Sequence, residues 1–200
     1  MLAPTIATLG LLLLAAPLLS QETAHVAASP DSRLWIDGTS TIGSWSCKAT
    51  TLDAVIDFAP PSALRKVTVR VPVRALRCDK PGMDNNLFRA LKADGDDERT
   101  AFIVATFDAL PTDVADATTL HTAGMLRVAG VENTVAMDVS TSRLADGTVR
   151  ATGSVPIRMT DYGIKPPTAL FGRIRTGDEV KVNFELNVDA RAIANAVGRP

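Results

Sequence analysis

The chain has 200 residues and a net charge of −1, with 21 Lys and Arg set against 22 Asp and Glu. That length suits one domain that buries roughly 70% of its surface without a metal or a lattice of disulfides. The basic residues are scattered, which argues against a nucleic-acid protein.

The first stretch, MLAPTIATLGLLLLAAPLLS, is apolar from Thr8 to Leu19. It is too short to cross a membrane and fits the apolar region of a secretory signal. It departs from that pattern in having no Lys or Arg at its start. A signal over 1–24 is expected, cleaved after Ser20, Ala24 or Ala28. The polar stretch Glu22–Ser32 reads as a mobile leader.

The first predicted strand is Arg33–Asp37, with Leu34 and Ile36 on one face and Trp35 on the other. An extended stretch follows from Ser44 to Phe58. Its apolar parity switches from odd (Trp45, Cys47) to even (Leu52, Ile56, Phe58), which predicts a bulge or sharp bend. Lys66–Leu76 alternates Val67, Val69, Val71 and Val73 against polar partners. Its Pro72 cannot donate a ladder bond, so an edge or a bulge is expected there.

The period then changes. Leu87, Phe88 and Leu91 fall at helical spacing, so a short helix is predicted over Asn85–Lys92, capped by Asp84. Strands resume at Ala101–Phe107, Leu120–Val128 and Thr134–Ser142. Asp146-Gly147 marks a hairpin into Val149–Met159. Thr176-Gly177-Asp178 reads as a turn into the last strand. There Val180, Val182, Phe184, Leu186 and Val188 form a dry face opposite Lys181, Asn183, Glu185 and Asn187. The tail 190–200 is Ala-rich and reads as frayed or weakly helical. Hairpin order and short turns predict an all-β antiparallel fold of about eight strands with one inserted helix. A barrel and a two-sheet sandwich both satisfy that pattern.

Cys47 and Cys78 are the only cysteines. In an exported chain they read as one disulfide closing a loop of about thirty residues, worth roughly 3–4 kcal/mol. Two histidines, His25 and His121, with no spaced Cys/His set, give no expectation of a transition metal. No phosphate loop and no nucleophile elbow occur. Asp94, Asp96, Asp97 and Glu98 read as a solvated turn rather than a calcium loop. Asp161 beside Tyr162 is the one pair suggestive of acid–base chemistry, so no catalytic set and no cofactor are assigned.

Three segments resemble the YceI-like, polyisoprenoid-binding family. They are VTVRVPVRALRCDKPGMDNNLFRALKA at 67–93, FIVATF at 102–107, and MTDYGIKPPTALFGRIRTGDEV at 159–180. The third is the most specific, and the resemblance covers roughly 33–189. At 94–101 the family's Tyr-Pro is replaced by DGDDERTA, a charged loop at the rim. The resemblance implies a lipocalin-like barrel, periplasmic or secreted, with an apolar channel. The implied ligand is an isoprenoid, a quinone or a fatty-acid-like amphiphile, with no membrane span once the signal is gone. Pairing of Val-rich edges into a homodimer is the second implied partnership.

The expected channel and lid residues are Trp35, Trp45, Leu87, Phe88, Leu91, Phe102, Phe107, Met125, Met137, Met159, Tyr162, Ile164, Phe171 and Phe184. Pro166 and Pro167 would stiffen a lid formed by Tyr162, Ile164 and Phe171. Three roles compete: a carrier or sequestering protein for an amphiphilic lipid, a filled-barrel interaction or stress-response module, and a lipid-directed enzyme.

Overall fold

The structure is a computed structural model and describes residues 24–59, 63–95, 97–108 and 118–197. The expected signal 1–24 lies outside them except for Ala24. In chain order come β1 (Ala24–Ala27), β2 (Arg33–Ser40), β3 (Gly43–Ala49), β4 (Asp53–Ala59), β5 (Ala63–Pro72) and β6 (Leu76–Cys78). Two helices follow, α1 (Met83–Ala90) and α2 (Glu98–Ala101). Then come β7 (Phe102–Asp108), β8 (Thr118–Val128), β9 (Val131–Arg143), β10 (Thr148–Arg158), β11 (Thr168–Ala169), β12 (Ile174–Asp189) and α3 (Ala190–Val197).

Every pairing is antiparallel. The strand order is β1-β4-β5-β7-β8-β9-β10-β12-β2-β3-β6, with β11 added on β12. The sheet curls into a half-barrel, and β6 at one end of the order and β4 next to the other end belong to one bent ribbon. In that ribbon β3 runs on into β4 and β5 runs on into β6, while β3 pairs with β6 and β4 with β5. The corner is fastened where the Thr50 amide and hydroxyl both donate to the Ala75 carbonyl, at 2.9 and 3.0 Å.

The expected bend in 44–58 is the gap between β3 and β4. Cys47 and Trp45 are buried before it and Ala54 and Phe58 after it, in the predicted odd and even parities. The same bend explains why eight strands is an undercount and twelve are present among the described residues. Each arm of the ribbon breaks into two strands, the second at the 3-10 turn Val73–Ala75. The two-residue β11 and the four-residue β1 are also too short to show periodicity.

The mobile leader is corrected as well. Ala24–Ala27 pairs with β4 and buries Val26 against Phe58 and Val188. The predicted turn at Thr176-Gly177-Asp178 is a register shift inside β12, between Thr176 and Val180. The inserted helix starts two residues earlier than expected, and Gly82, at φ 72, precedes it. Asp84 does not cap it. Its carboxylate accepts from the Cys78 amide at 2.8 Å. Two more α-helices accompany it among the described residues. In α2 Asp97 accepts from the Arg99 amide at 2.9 Å, a cap the charged run concealed.

Candidate functional site

The dry face of β12 lines the interior along its length. Ile174, Thr176, Val180 and Val182 border a cavity of about 580 Å³. Val182, Phe184, Leu186 and Val188 border a second cavity of about 170 Å³. Four residues line both, Leu34, Ile103, Leu126 and Val182, and they form the waist between the two spaces. The larger volume lies within the range of small-molecule sites.

The two spaces have different walls. The large cavity carries polar groups from Ser40, Ser44, Lys80, Asn86, Thr168 and Thr176 beside its apolar lining. The small one has only Thr122 and Thr141 among aliphatic and aromatic neighbours. Its far end is closed by α3, where Ile193 packs with Val26, Phe58 and Val188.

Three aromatic rings are laid flat against the wall. Trp45 stands directly across from Gly38, Phe107 from Gly124 and Phe184 from Gly153. A Cβ added at any of these glycines would overlap the facing ring. The glycine makes room for the ring to cover its own neighbour strand instead of crossing the interior. The Trp45 indole nitrogen fixes this pose by donating to the Thr39 carbonyl at 3.2 Å.

Of the residues expected in a channel, Trp45, Leu87, Leu91, Met159, Tyr162 and Ile164 line the large cavity. Phe107, Met137 and Phe184 line the small one. Trp35, Phe88, Phe102, Met125 and Phe171 line neither. Strand parity is the reason for three of these. Trp35 alternates with inward Leu34 and Ile36, Phe102 adjoins inward Ile103, and Met125 adjoins inward Leu126. Outside the sheet, Trp35 donates to Asp37 at 3.1 Å, and Asp37 also accepts from Asn183 at 2.9 Å. That network buries Asn183 on a face expected to be wet. Arg70 lies over the Phe102 ring at 4.5 Å and Arg74 over Phe88 at 5.7 Å, so both rings serve as cation–π platforms. Leu34, Ile36, Leu126 and Ile157 are interior liners absent from that expected set. Alternation is the signal that marks them, since each has the inward parity of its strand.

The helix and the 160–172 loop do not close different ends of the interior. Instead α1 and the loop meet at the same large cavity, through Met83, Leu87, Ile164, Pro167 and Thr168. Tyr162 and Ile164 are part of the buried core rather than a lid. Phe171 is fully exposed at the tip of the β11–β12 hairpin. There Leu170 and Phe171 both hold left-handed backbone, at φ 49 and 55, and the amide of Gly172 donates to the Ala169 carbonyl at 3.1 Å. That conformation costs about 1–2 kcal/mol for each non-glycine residue.

Asp161 and Tyr162 do not converge on a reaction site. Asp161 is exposed, whereas Tyr162 is 1% exposed. Burial pushes the Tyr162 hydroxyl above its ordinary range, and the Asp161 charge adds to that. The loop is held at its start by Asp178, which accepts from the Thr160 amide at 2.9 Å and from its hydroxyl at 2.7 Å. Those bonds, with Arg158 assisting, keep the Asp178 carboxyl below the usual carboxylate range. On the other side of the mouth, Cys47 and Cys78 form a disulfide across the paired β3 and β6.

The YceI-like domain model matches residues 31–188. The chain belongs to the YceI-like domain family. Its fold is similar to a polyisoprenoid-binding domain from Saccharophagus degradans implicated in plant cell wall breakdown. That likeness has a TM-score of 0.65 at 13% identity, over 84% of this chain and 99% of the other. It is also similar to Burkholderia cenocepacia BcnA, with a TM-score of 0.60 at 14% identity over 78% of this chain and 96% of that one. A Campylobacter jejuni YCEI protein matches with a TM-score of 0.54 at 18% identity, over 72% of this chain and 83% of that one. No curated protein matches the sequence. Identities this low carry the shared fold and no more. Among the described residues no helix is long and apolar enough to cross a membrane.

Proposed function

We propose that this YceI-like protein is exported and holds one amphiphilic lipid in its interior. The lipid is an isoprenoid, an isoprenoid quinone or a fatty-acid-like molecule. The observation that carries the reading is the large cavity of about 580 Å³ with polar groups among its liners and an apolar space behind its waist. An amphiphile fits that gradient with its head among Ser40, Ser44, Asn86 and Thr176 and its tail toward Leu34, Ile103 and Leu126. Burying about 400 Å² of tail contributes on the order of 10 kcal/mol gross. Association and ordering offset roughly 4–15 kcal/mol of that, so fit to the waist sets affinity.

Export places the chain in the periplasm or outside the cell, where the Cys47–Cys78 disulfide persists. Cleavage after Ser20 suits the fold, because a cut after Ala28 would remove β1 with its buried Val26. The alternative role, an interaction module with a filled interior, is disfavoured by the volume of the cavity. Native mass spectrometry of protein purified without detergent tests the reading. An adduct that extraction identifies as one lipid per chain is expected. A ligand-free protein that takes up neither quinones nor fatty acids would sink it.

A further inference from the structure

Among the described residues, the three most exposed large hydrophobic side chains are Phe171, Ile42 and Leu170. They stand together. Ile42 is at the tip of the β2–β3 hairpin, and Leu170 and Phe171 are at the tip of β11–β12. The tips are tied side by side. The Thr41 amide donates to the Arg175 carbonyl at 3.0 Å, and the Thr41 hydroxyl accepts from the Arg175 amide at 3.2 Å. Both hairpins border the mouth of the large cavity, through Ser40, Ile42, Thr168 and Ala169.

The tips also carry charge. Lys165, Arg173 and Arg175 are exposed, and among the described residues none of them forms an ion pair. Asp178, further along β12, is taken up by Arg158 and Thr160. Glu179 is exposed opposite Arg158 in the β10–β12 register. The backbone at the tip is unusual in the same place. Leu170, Phe171 and Gly172 are all left-handed, a conformation that glycine and asparagine adopt readily and leucine and phenylalanine do not. Two large apolar residues are thus held outward in a costly turn, with no burial inside the chain to compensate.

We propose that these paired hairpin tips are a docking surface for an anionic lipid bilayer. Ile42, Leu170 and Phe171 enter the boundary between headgroups and acyl chains, and Lys165, Arg173 and Arg175 lie on the anionic headgroups. The cavity mouth then faces the bilayer. The chemistry favours a bilayer over a protein. Leu170 and Phe171 project from a hairpin tip and line neither cavity, Ile42 stands at the rim beside them, and the cations near them form no ion pair among the described residues. A second copy would bring the same positive tips together, and like charge opposes that contact. Docking does not depend on which ligand, or any ligand, fills the cavity.

The test uses a local reporter in the full chain. Phe171→Trp is compared with Met125→Trp, each against the parent background of Trp35 and Trp45. Vesicles are phosphatidylcholine alone or mixed with phosphatidylglycerol, with brominated acyl chains as quencher. Emission from position 171 is expected to shift blue and to be quenched on the mixed vesicles, with position 125 unchanged. Leu170→Ser with Phe171→Ser lowers the partition of the chain into sedimented mixed vesicles about tenfold or more. Each of Lys165→Gln, Arg173→Gln and Arg175→Gln lowers the preference for anionic vesicles roughly fivefold. An unquenched reporter at 171 overturns the proposal. So does a blue shift that grows with protein concentration in the absence of vesicles, which would mark a second copy as the occupant. Uptake of a solubilised isoprenoid quinone without vesicles is measured on the double serine variant. Loss of uptake by every form, with quenching retained, counts against the lipid-holding role and leaves docking standing.

Discussion

The two halves of the interior are built on the same strands and behave as different materials. The base half is a conventional core. β1, β4, β12 and α3 pack Val26, Phe58, Val188 and Ile193 at the end of a space of about 170 Å³. The mouth half encloses about 580 Å³, is framed by α1 and the 160–172 loop, and carries polar side chains. The difference shows where a half-barrel spends its side chains. At the base, a helix that follows directly on β12 brings its own apolar face to plug the end. At the mouth the covering segments stay at the edge and leave the middle open.

The largest disruption of the contrast is loss of the disulfide. Cys47→Ala with Cys78→Ala removes the tie between β3 and β6, and with it the frame on which Asp84 anchors α1. Chemical denaturation should show a loss of about 3–4 kcal/mol. Amide exchange should rise first at β6 and α1 and last at β8 to β10. Uniform loosening of both halves would show that the mouth is not a separate region.

Leu126→Ala acts on the waist. Truncating a buried leucine costs about 2–5 kcal/mol, and here it also joins the two spaces. Lipids copurifying with this variant should have longer chains than those on the parent. An unchanged chain-length profile would mean that the waist is not the stop.

Gly153→Ala sharpens the contrast more gently. Its methyl group collides with the Phe184 ring and pushes the ring inward, at a cost of about 1–3 kcal/mol. Because Phe184 belongs to the small cavity alone, thermal stability should fall while a short-chain ligand keeps its affinity. Gly38→Ala should lower ligand affinity as well as stability, since the displaced Trp45 ring lines the mouth. Equal effects of the two on ligand affinity would erase the distinction between the halves.

The smallest effect is a titration. The folded Asp178 carboxyl lies below its ordinary value of 3.8, held there by the Thr160 hydroxyl and amide. The stabilisation is therefore complete above that ordinary value and is lost as pH falls through the lowered one. Between neutral pH and the ordinary carboxylate range, the Thr160 amide resonance should not move on account of Asp178. It should shift only at more acidic pH, and Asp178→Asn should abolish the shift. A transition at or above the ordinary value would show that the loop anchor is not formed.

Most of the wall could be read from the order of residues alone. Alternation in β12 marks Val180 to Val188 as inward, and the parity switch between Cys47 and Ile56 marks the corner of the ribbon. Asp146-Gly147 closes its hairpin, with Gly147 at φ 87. The site was less accessible. Aromatic rings and flexible methionines suggest a channel at Trp35, Phe102 and Met125, although their own strand parity sets them outside. The pairing of Trp45, Phe107 and Phe184 with glycines is a matter of register between strands far apart in sequence.

The sequence by itself determined the antiparallel strands, the family resemblance and the facing of most strand residues, because alternation and short motifs are local properties of the chain, whereas the half-barrel was decided by how the strands pair. Only the tertiary structure decided which end each covering segment closes. It placed α1 and the 160–172 loop at one mouth and α3 at the base. It also put Leu170 and Phe171 outside when Tyr162 and Ile164, a few residues earlier, went in. The reason is that curl and register bring together groups separated by more than a hundred residues, as Thr41 and Arg175 are, and no local pattern encodes that meeting.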